Sequence, residues 1–381
     1  MLSYQRRRIL RLVSCTAAPA LMRYSKILAA QEDVCSARSG PLNLITDVPG
    51  LRVGSAHDAR VRTGTTVILG DAPMLAAVDV RGGAPATREI DALGEDKLVQ
   101  HVDAVVFSGG SVYGLAAADG VTTWLGQRQR GFALRPARNK PVSPIVPAAC
   151  LYDLANGGDK LWQDRPPYRQ LGIDALCNAS DTFQLGTAGA GYGALTNNGT
   201  VKGGLGSASV VARCGAVIGA IVAVNSLGSV VAAGTRAFWA TPWEIGNEFG
   251  GAGAHALAQL RGAPEDWLTP APQLGRYNTT LACVATDLAL TRVELKRVAS
   301  MAHDGMARAI RPVHSAFDGD IVIATSTNRR SIPMNGQVER ETAVLNIGAL
   351  AADTLARAIA RAIFEAKAWP NSPVRAWRDI G

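Results

Sequence analysis

The stretch that most constrains the fold of this chain is Thr291–Ile310. Thr291 and Glu294 form an S/T-x-x-E pattern, in which a hydroxyl and a carboxylate cap the unpaired N–H groups of a first helical turn. Leu295, Val298, Ala299, Ala302 and Met306 then recur at helical spacing and make one apolar face. On either side lie short apolar runs, Leu281–Ala285 and Asp320–Ser326, that read as buried strands. Gly64–Gly70, Ala104–Phe107 and Gly215–Val224 read the same way. A helix is expected over Ser111–Gly126, opening just after Gly109-Gly110. A long one is expected over Thr342–Ala368, stopped by Pro370 and broadly apolar, as for a helix laid on a sheet or in a subunit contact. Asn156–Pro167 and Gly262–Tyr277 are the expected long loops. The chain is mixed α/β, without internal repeats.

At 381 residues the chain has room for one large domain or two smaller ones, and its 48% hydrophobic content supports a sizeable core. The formal charge of +8 suggests a polyanionic partner, but six bases lie in residues 1–30, which hold no acid; 8 − 6 leaves +2. The rest has no basic run interleaved with aromatics, so no nucleic-acid footprint is present. Residues 1–30 instead look like a leader. Arg6-Arg7-Arg8-Ile9-Leu10-Arg11 precedes apolar Leu12–Met22, as in a twin-arginine export peptide. This favours a periplasmic location over a cytoplasmic enzyme with a basic extension. The apolar part is too short to span a bilayer, and no later run reaches about 18 uninterrupted apolar residues. Outside the leader, Cys35, Cys150, Cys177, Cys214 and Cys283 are too scattered for a disulfide framework or a zinc pattern.

Asn278-Thr279-Thr280 opens the strand-like run that ends near Asp287. An isolated hydroxyl is a poor nucleophile, but a threonine at a chain start carries its own base, its α-amine. Such an amine titrates near ~8, so much of it is neutral around pH 7–8. Cleavage of the Asn278–Thr279 bond would make Thr279 that residue. Read locally, the same triplet is also a glycosylation sequon or a Thr-rich strand start. Other chemistries are excluded more firmly. There is no G-x-x-x-x-G-K-[ST], Gly189–Ala194 misses G-x-G-x-x-G at its last position, and Ser111 is out of register for G-x-S-x-G. The five histidines show no H-x-x-x-H pair, so no metal site is expected, and His303 reads as a core or surface-edge residue rather than a base.

Several motifs stand in one order: DVRGGAPATRE (Asp79–Glu89), FSGGSVYGLAAADGV (Phe107–Val121), PIVPAACLYDL (Pro144–Leu154), GAGYG and KGGLGSAS (Gly189–Ser209), AVNSLGSVV (Ala223–Val231), NTTLACVATD and MAHDGMARAIRPVHSAFDGD. With these, the chain from Asn43 to Trp369 resembles the self-cleaving hydrolases that include L-aminopeptidase/D-esterases, β-peptidyl aminopeptidases and nylon-oligomer endo-hydrolases. The resemblance implies a four-layer αββα sandwich over residues 31–381, cut into 31–278 and 279–381. It implies no cofactor, a small peptide, amide or ester substrate, and assembly as a homo-oligomer, often a tetramer. It also assigns roles. Thr279 is the nucleophile, Asn278 precedes the cut, and Asn225 supplies an amide to the oxyanion. Asp318 and Asp320 hold the nucleophile's amine and hydroxyl, Lys202 lines the site, and Tyr152 lies near the substrate.

Taken without the resemblance, the bland readings are a turn residue for Asn225, a solvated turn or calcium-like D-x-D for Asp318 and Asp320, and rim or core residues for Lys202 and Tyr152. The chain also departs from one branch. Where the aminopeptidases of the family place an amine-binding glutamate, two residues before the tyrosine, this chain has Cys150, and its nucleophile is threonine rather than serine. An acyltransferase of the ornithine acetyltransferase type and a non-catalytic binding protein on the same fold are the alternative functions.

Overall fold

The chain runs β1 (Leu51–Asp58), β2 (Thr63–Val80), β3 (Ala86–Arg88), β4 (His101–Ser108), α1 (Ala116–Gln127), β5 (Ala148–Cys150), α2 (Tyr168–Cys177), β6 (Leu195–Thr196), β7 (Val201–Lys202), β8 (Gly204–Val211), β9 (Val217–Asn225), α3 (Gly253–Gln259), β10 (Thr279–Leu288), α4 (Arg292–Ala309), β11 (Ile321–Arg330) and α5 (Gln337–Phe364). The structure, a computed structural model, describes residues 37–134, 140–251, 253–259, 278–332 and 336–380. Contacts divide the chain into Met1–Arg38 and Ser39–Gly381, and the architecture is that of the second unit.

Nine strands join in the order β3-β5-β4-β2-β11-β10-β9-β8, with β1 added on β2. The helix that sequence reads best, α4, crosses over between the parallel neighbours β10 and β11. Thr291 is its N-cap, accepting the Glu294 N–H at 3.3 Å, while Glu294 accepts the Thr291 N–H at 2.7 Å. Such a cap stabilises a helix by about 1 kcal/mol.

The sheet folds over along β2 into two layers, and side-chain alternation gives each an inner and an outer face. Ile68, Val105, Phe107, Ile221, Leu281, Cys283, Ile321 and Ile323 share an inner core. Their strand neighbours Val67, Leu69, Ala104 and Val106 face outward against α1 and α2. On the other side, α4 packs on β2 and β11, and α5 on β8 and β9. The result is the expected αββα sandwich. Strand β2 joins the layers: Thr63–Gly70 pairs with β1, Leu75–Val80 pairs with β11, and Asp71–Pro73 between them are exposed. That exposed break makes β2 read from sequence as one short strand, Gly64–Gly70.

Strand β8 gave no propensity signal because it is rich in glycine and serine. Its glycines admit a neighbour: a Cβ on Gly204 would lie 2.3 Å from the Ala362 carbonyl oxygen, and on Gly206 2.0 Å from that of Ala358, both on α5. The buried Arg357 of α5 meets Glu248 at 2.6 Å and also donates to Ser39 and Asn43, tying the start of the unit to the helix layer. Helix α5 starts five residues before its expected start and stops at Phe364 rather than Ala368. Glu339–Phe364 is long and apolar enough to cross a membrane, but 67% of its most apolar window is buried, as in a core helix. Ser111–Leu115 is a 3₁₀ turn leading into α1. Asn156–Pro167 is the expected loop, and Gly262–Tyr277 lies outside the described residues.

Candidate active site

Asn225, the last residue of β9, faces Thr279, the first of β10, across an antiparallel pair. The connection into β11 passes beside them. Asn278 N–H donates to the Phe317 carbonyl at 3.2 Å, and Gly319 N–H donates to the Asn278 carbonyl at 3.0 Å. The Thr279 hydroxyl donates to that same carbonyl oxygen at 2.5 Å. The carbonyl before Thr279 is thus polarised by two donors, one of them the neighbouring hydroxyl. Gly319 is required here, because a Cβ would stand 2.8 Å from Thr279 Oγ1.

The two acids flank this point from below. Asp320 Oδ1 accepts the Thr280 N–H at 2.8 Å. Asp318 accepts the Ser315 hydroxyl at 2.5 Å and the Leu227 N–H at 3.3 Å. Burial, reinforced by the charge of Asp320, holds the Asp318 carboxyl above the usual carboxylate range. Asn225, Asn278, Thr279, Asp318 and Asp320 are each 3% exposed or less. The Asn225 amide has a defined orientation. Its Oδ1 accepts the Leu195 N–H at 2.9 Å, so Nδ2 points the other way and donates to the Tyr152 carbonyl at 3.1 Å.

Five of the seven candidate residues therefore meet at one place. Tyr152 lines a narrow pocket beside them, together with Asp153, Asn156, Gly193, Asn225 and Asn278. Lys202 stands behind this wall rather than in it. Its ammonium donates to the carbonyls of Gly191 (3.0 Å), Ala194 (2.9 Å) and Gly203 (2.8 Å) and lies 4.8 Å from the Trp369 ring centre. Burial pushes its pKa down to about 7, while three carbonyls and an aromatic face favour its charge. All three of its N–H groups are taken by backbone.

Four residues of this site carried no assignment from sequence. Gly319, His314 and Ser315 lie inside the HSAFDGD motif and contribute through the backbone or to the acids. Asp153 follows Tyr152; its oxygens accept the Thr63 hydroxyl at 2.6 Å and the Gly110 N–H at 2.8 Å. Of the two places open to His303, core or surface edge, it takes the core: its Nε2 meets the Asp79 carbonyl at 3.0 Å, and burial pushes its pKa down to about 4. Cys150 is buried against Gly114, and burial raises its thiol far above the ordinary value. Among the described residues, no group of three or more His, Cys, Asp or Glu side chains is placed to hold a metal.

A hydroxyl beside a polarised carbonyl, with an oriented amide and two buried carboxylates, is equipment for acyl transfer. The fold is that of the Ntn-hydrolase-type aminopeptidases. The L-aminopeptidase D-Ala-esterase/amidase of Ochrobactrum anthropi superposes with a TM-score of 0.62 at 24% identity, over 90% of this chain and 93% of that one. The β-aminopeptidase of Burkholderia sp. gives 0.63 at 20% identity, over 90% and 92%. The chain belongs to peptidase family S58, whose profile matches residues 43–373. It is 38% identical over 357 residues to a Mycobacterium bovis protein named as an uncharacterized aminopeptidase, covering 89% of this chain and 98% of the relative. It is 31% identical over 349 residues to the 6-aminohexanoate-oligomer endohydrolase of Kocuria sp., covering 87% and 89%. The protein is a hydrolase of peptide or amide bonds.

Proposed function

We propose that this hydrolase activates itself by cutting the Asn278–Thr279 bond and then uses Thr279 as an N-terminal nucleophile. The observation that carries this reading is the place of the Thr279 hydroxyl beside the Asn278 carbonyl, whose oxygen Gly319 N–H also polarises at 3.0 Å. Attack of Oγ1 on the Asn278 carbonyl carbon closes a five-membered ring. The C–N bond breaks, the hydroxyl proton passes to the departing nitrogen, and an ester joins Asn278 to Thr279. Water hydrolyses the ester, leaving a carboxylate on Asn278, a free amine on Thr279 and a C-terminal chain of 381 − 278 = 103 residues.

In the mature enzyme the amine takes the Thr279 hydroxyl proton as Oγ1 attacks a substrate amide or ester. Asn225 Nδ2 turns to the oxyanion, and Asp318 and Asp320 hold the amine. The leaving group takes the proton, and water delivered by the same amine releases the acyl group. Tyr152 flanks the substrate, and Lys202 supports the pocket wall from behind. Export by residues 1–30 and assembly as a homotetramer complete the proposal. The intact mass of purified protein tests it: a fragment beginning Thr279-Thr280-Leu281 is expected, with the leader mass absent from its companion. A single chain retaining every residue after prolonged incubation would sink the reading.

Substrate preference follows from Cys150. A buried, protonated thiol makes no ion pair with a substrate ammonium, and burial raises the carboxyl pKa of neighbouring Asp153, which is turned to Thr63 and Gly110. An amide with an acetyl-capped terminus is therefore expected to react at least as well as its free-amine counterpart. A tenfold or greater preference for the free amine, ~1.4 kcal/mol of transition-state discrimination, would contradict this.

A further inference from the structure

Asp320 divides its two oxygens between the nucleophile's strand and a histidine. Oδ1 accepts the Thr280 N–H at 2.8 Å, while Oδ2 accepts both the backbone N–H of His314, at 3.0 Å, and its ring Nδ1, at 2.9 Å. A carboxylate only accepts, so Nδ1 carries the hydrogen and the lone pair of a neutral ring sits on Nε2. Nε2 is buried and has no partner among the described residues. The backbone of His314 has φ 59°, in the left-handed region, which histidine, like Asn and Asp, enters more readily than most side chains. The ring thus spends its one hydrogen on Asp320 and leaves a buried nitrogen unpartnered.

The ring is wedged. Its other side meets the ring of His303 on α4, edge to face, with centroids 4.8 Å apart at 75°. His303 is fully buried and remains uncharged. Beyond it lie Asp79, held by Lys296, and Arg81, which bonds to Ser300. On the near side, Asp318 is occupied by Ser315 and Leu227, and Arg311 lies over the Trp239 ring. Among these contacts, only the ring of His314 and its own N–H hold Oδ2 of Asp320.

We propose that His314 is a positioning residue of this hydrolase, clamping Asp320 so that the carboxylate keeps its place under Thr279. The inference rests on Thr279 being the nucleophile. The hydrogen bond from the ring adds a third hold on the carboxylate, beside the backbone N–H groups of Thr280 on Oδ1 and His314 on Oδ2, and it is the one made by a side chain. Acting through Asp320, His314 governs the chemical step and not the affinity for substrate.

The test uses full-length protein shown to be cut at Asn278–Thr279. His314→Gly removes the ring and relieves the backbone. His314→Asn keeps an N–H donor on a residue at ease in the left-handed region. For His314→Gly, kcat is expected to fall about 10- to 100-fold with KM within about twofold of wild type, as for a small misplacement at a reacting centre. His314→Asn is expected to retain most of kcat. Added imidazole is expected to restore part of the lost rate in His314→Gly, because the ring site is 19% exposed. An unchanged kcat in His314→Gly, or a loss that neither asparagine nor imidazole repairs, overturns the proposal. Should His314→Gly fail to fold, His314→Asn is compared with His314→Asp, which offers Oδ2 only another acceptor. An active asparagine and an inactive aspartate variant support the clamp; equal activity overturns it. Wild type lacking a fragment that starts at Thr279 sinks the nucleophile reading whatever the His314 variants do. A cut wild type with a fully active His314→Gly sinks the clamp alone.

Discussion

Thr279→Ala protein is expected to remain one uncut chain and to lose essentially all hydrolytic activity, a fall of about 10⁵–10⁶-fold in kcat of the kind seen when a nucleophile is removed. The size of the effect follows from the hydroxyl's two uses. In the proposed mechanism it attacks the Asn278 carbonyl to free the amine, and it then attacks the substrate. Without the first step, the nitrogen of residue 279 stays an amide, which is no base. The fold is expected to survive. Alanine fits the buried start of β10, the pairing of residues 279–286 with β9 is made by backbone, and the lost hydroxyl bond costs about 1 kcal/mol. Thr279→Ser keeps the five-membered geometry and is expected to cut. Electrophoresis and N-terminal sequencing of the three proteins check this. Cleavage at the same bond in the alanine variant would remove Thr279 from the mechanism.

Asn225→Ala, assayed on protein already cut, is expected to lower kcat ~10²–10³-fold, about 3–4 kcal/mol, with little change in KM. An amide aimed at developing negative charge acts in the transition state and hardly at all on the bound substrate. The structure adds a second consequence. Asn225 Oδ1 accepts the Leu195 N–H, so alanine also leaves a buried donor without its acceptor, at about 1–3 kcal/mol of stability. Asn225→Asp separates the two. It keeps the acceptor for Leu195 but replaces the N–H donor with a negative charge facing the oxyanion. Its stability is expected to exceed that of the alanine variant while its kcat falls further. Steady-state kinetics and thermal melting of the cut variants decide the matter. Wild-type kcat in cut Asn225→Ala would reduce this residue to a turn-former.

What the sequence by itself determined is local chemistry and its order along the chain. The capping box at Thr291 and Glu294 and the apolar runs around Leu281 and Ile321 report which faces must be buried, and both formed as read. The motif order pointed to the family and to the residues that converge on Thr279. Tertiary structure decided everything that depends on register. Thr279 meets Asn225 only because β9 and β10 pair in one alignment, across more than fifty intervening residues. The Gly319 N–H reaches the Asn278 carbonyl because residues 278 and 318 form a single parallel bridge, and no periodicity encodes such a contact. Strand β8 carries no side-chain signal, because its glycines are shaped by the close approach of α5. Lys202 shows the same division. Its identity is plain in KGGLGSAS, but whether an ammonium faces a substrate or three backbone carbonyls depends on where the chain folds back. A residue's chemistry is local, whereas its partners are set by packing between segments distant in sequence.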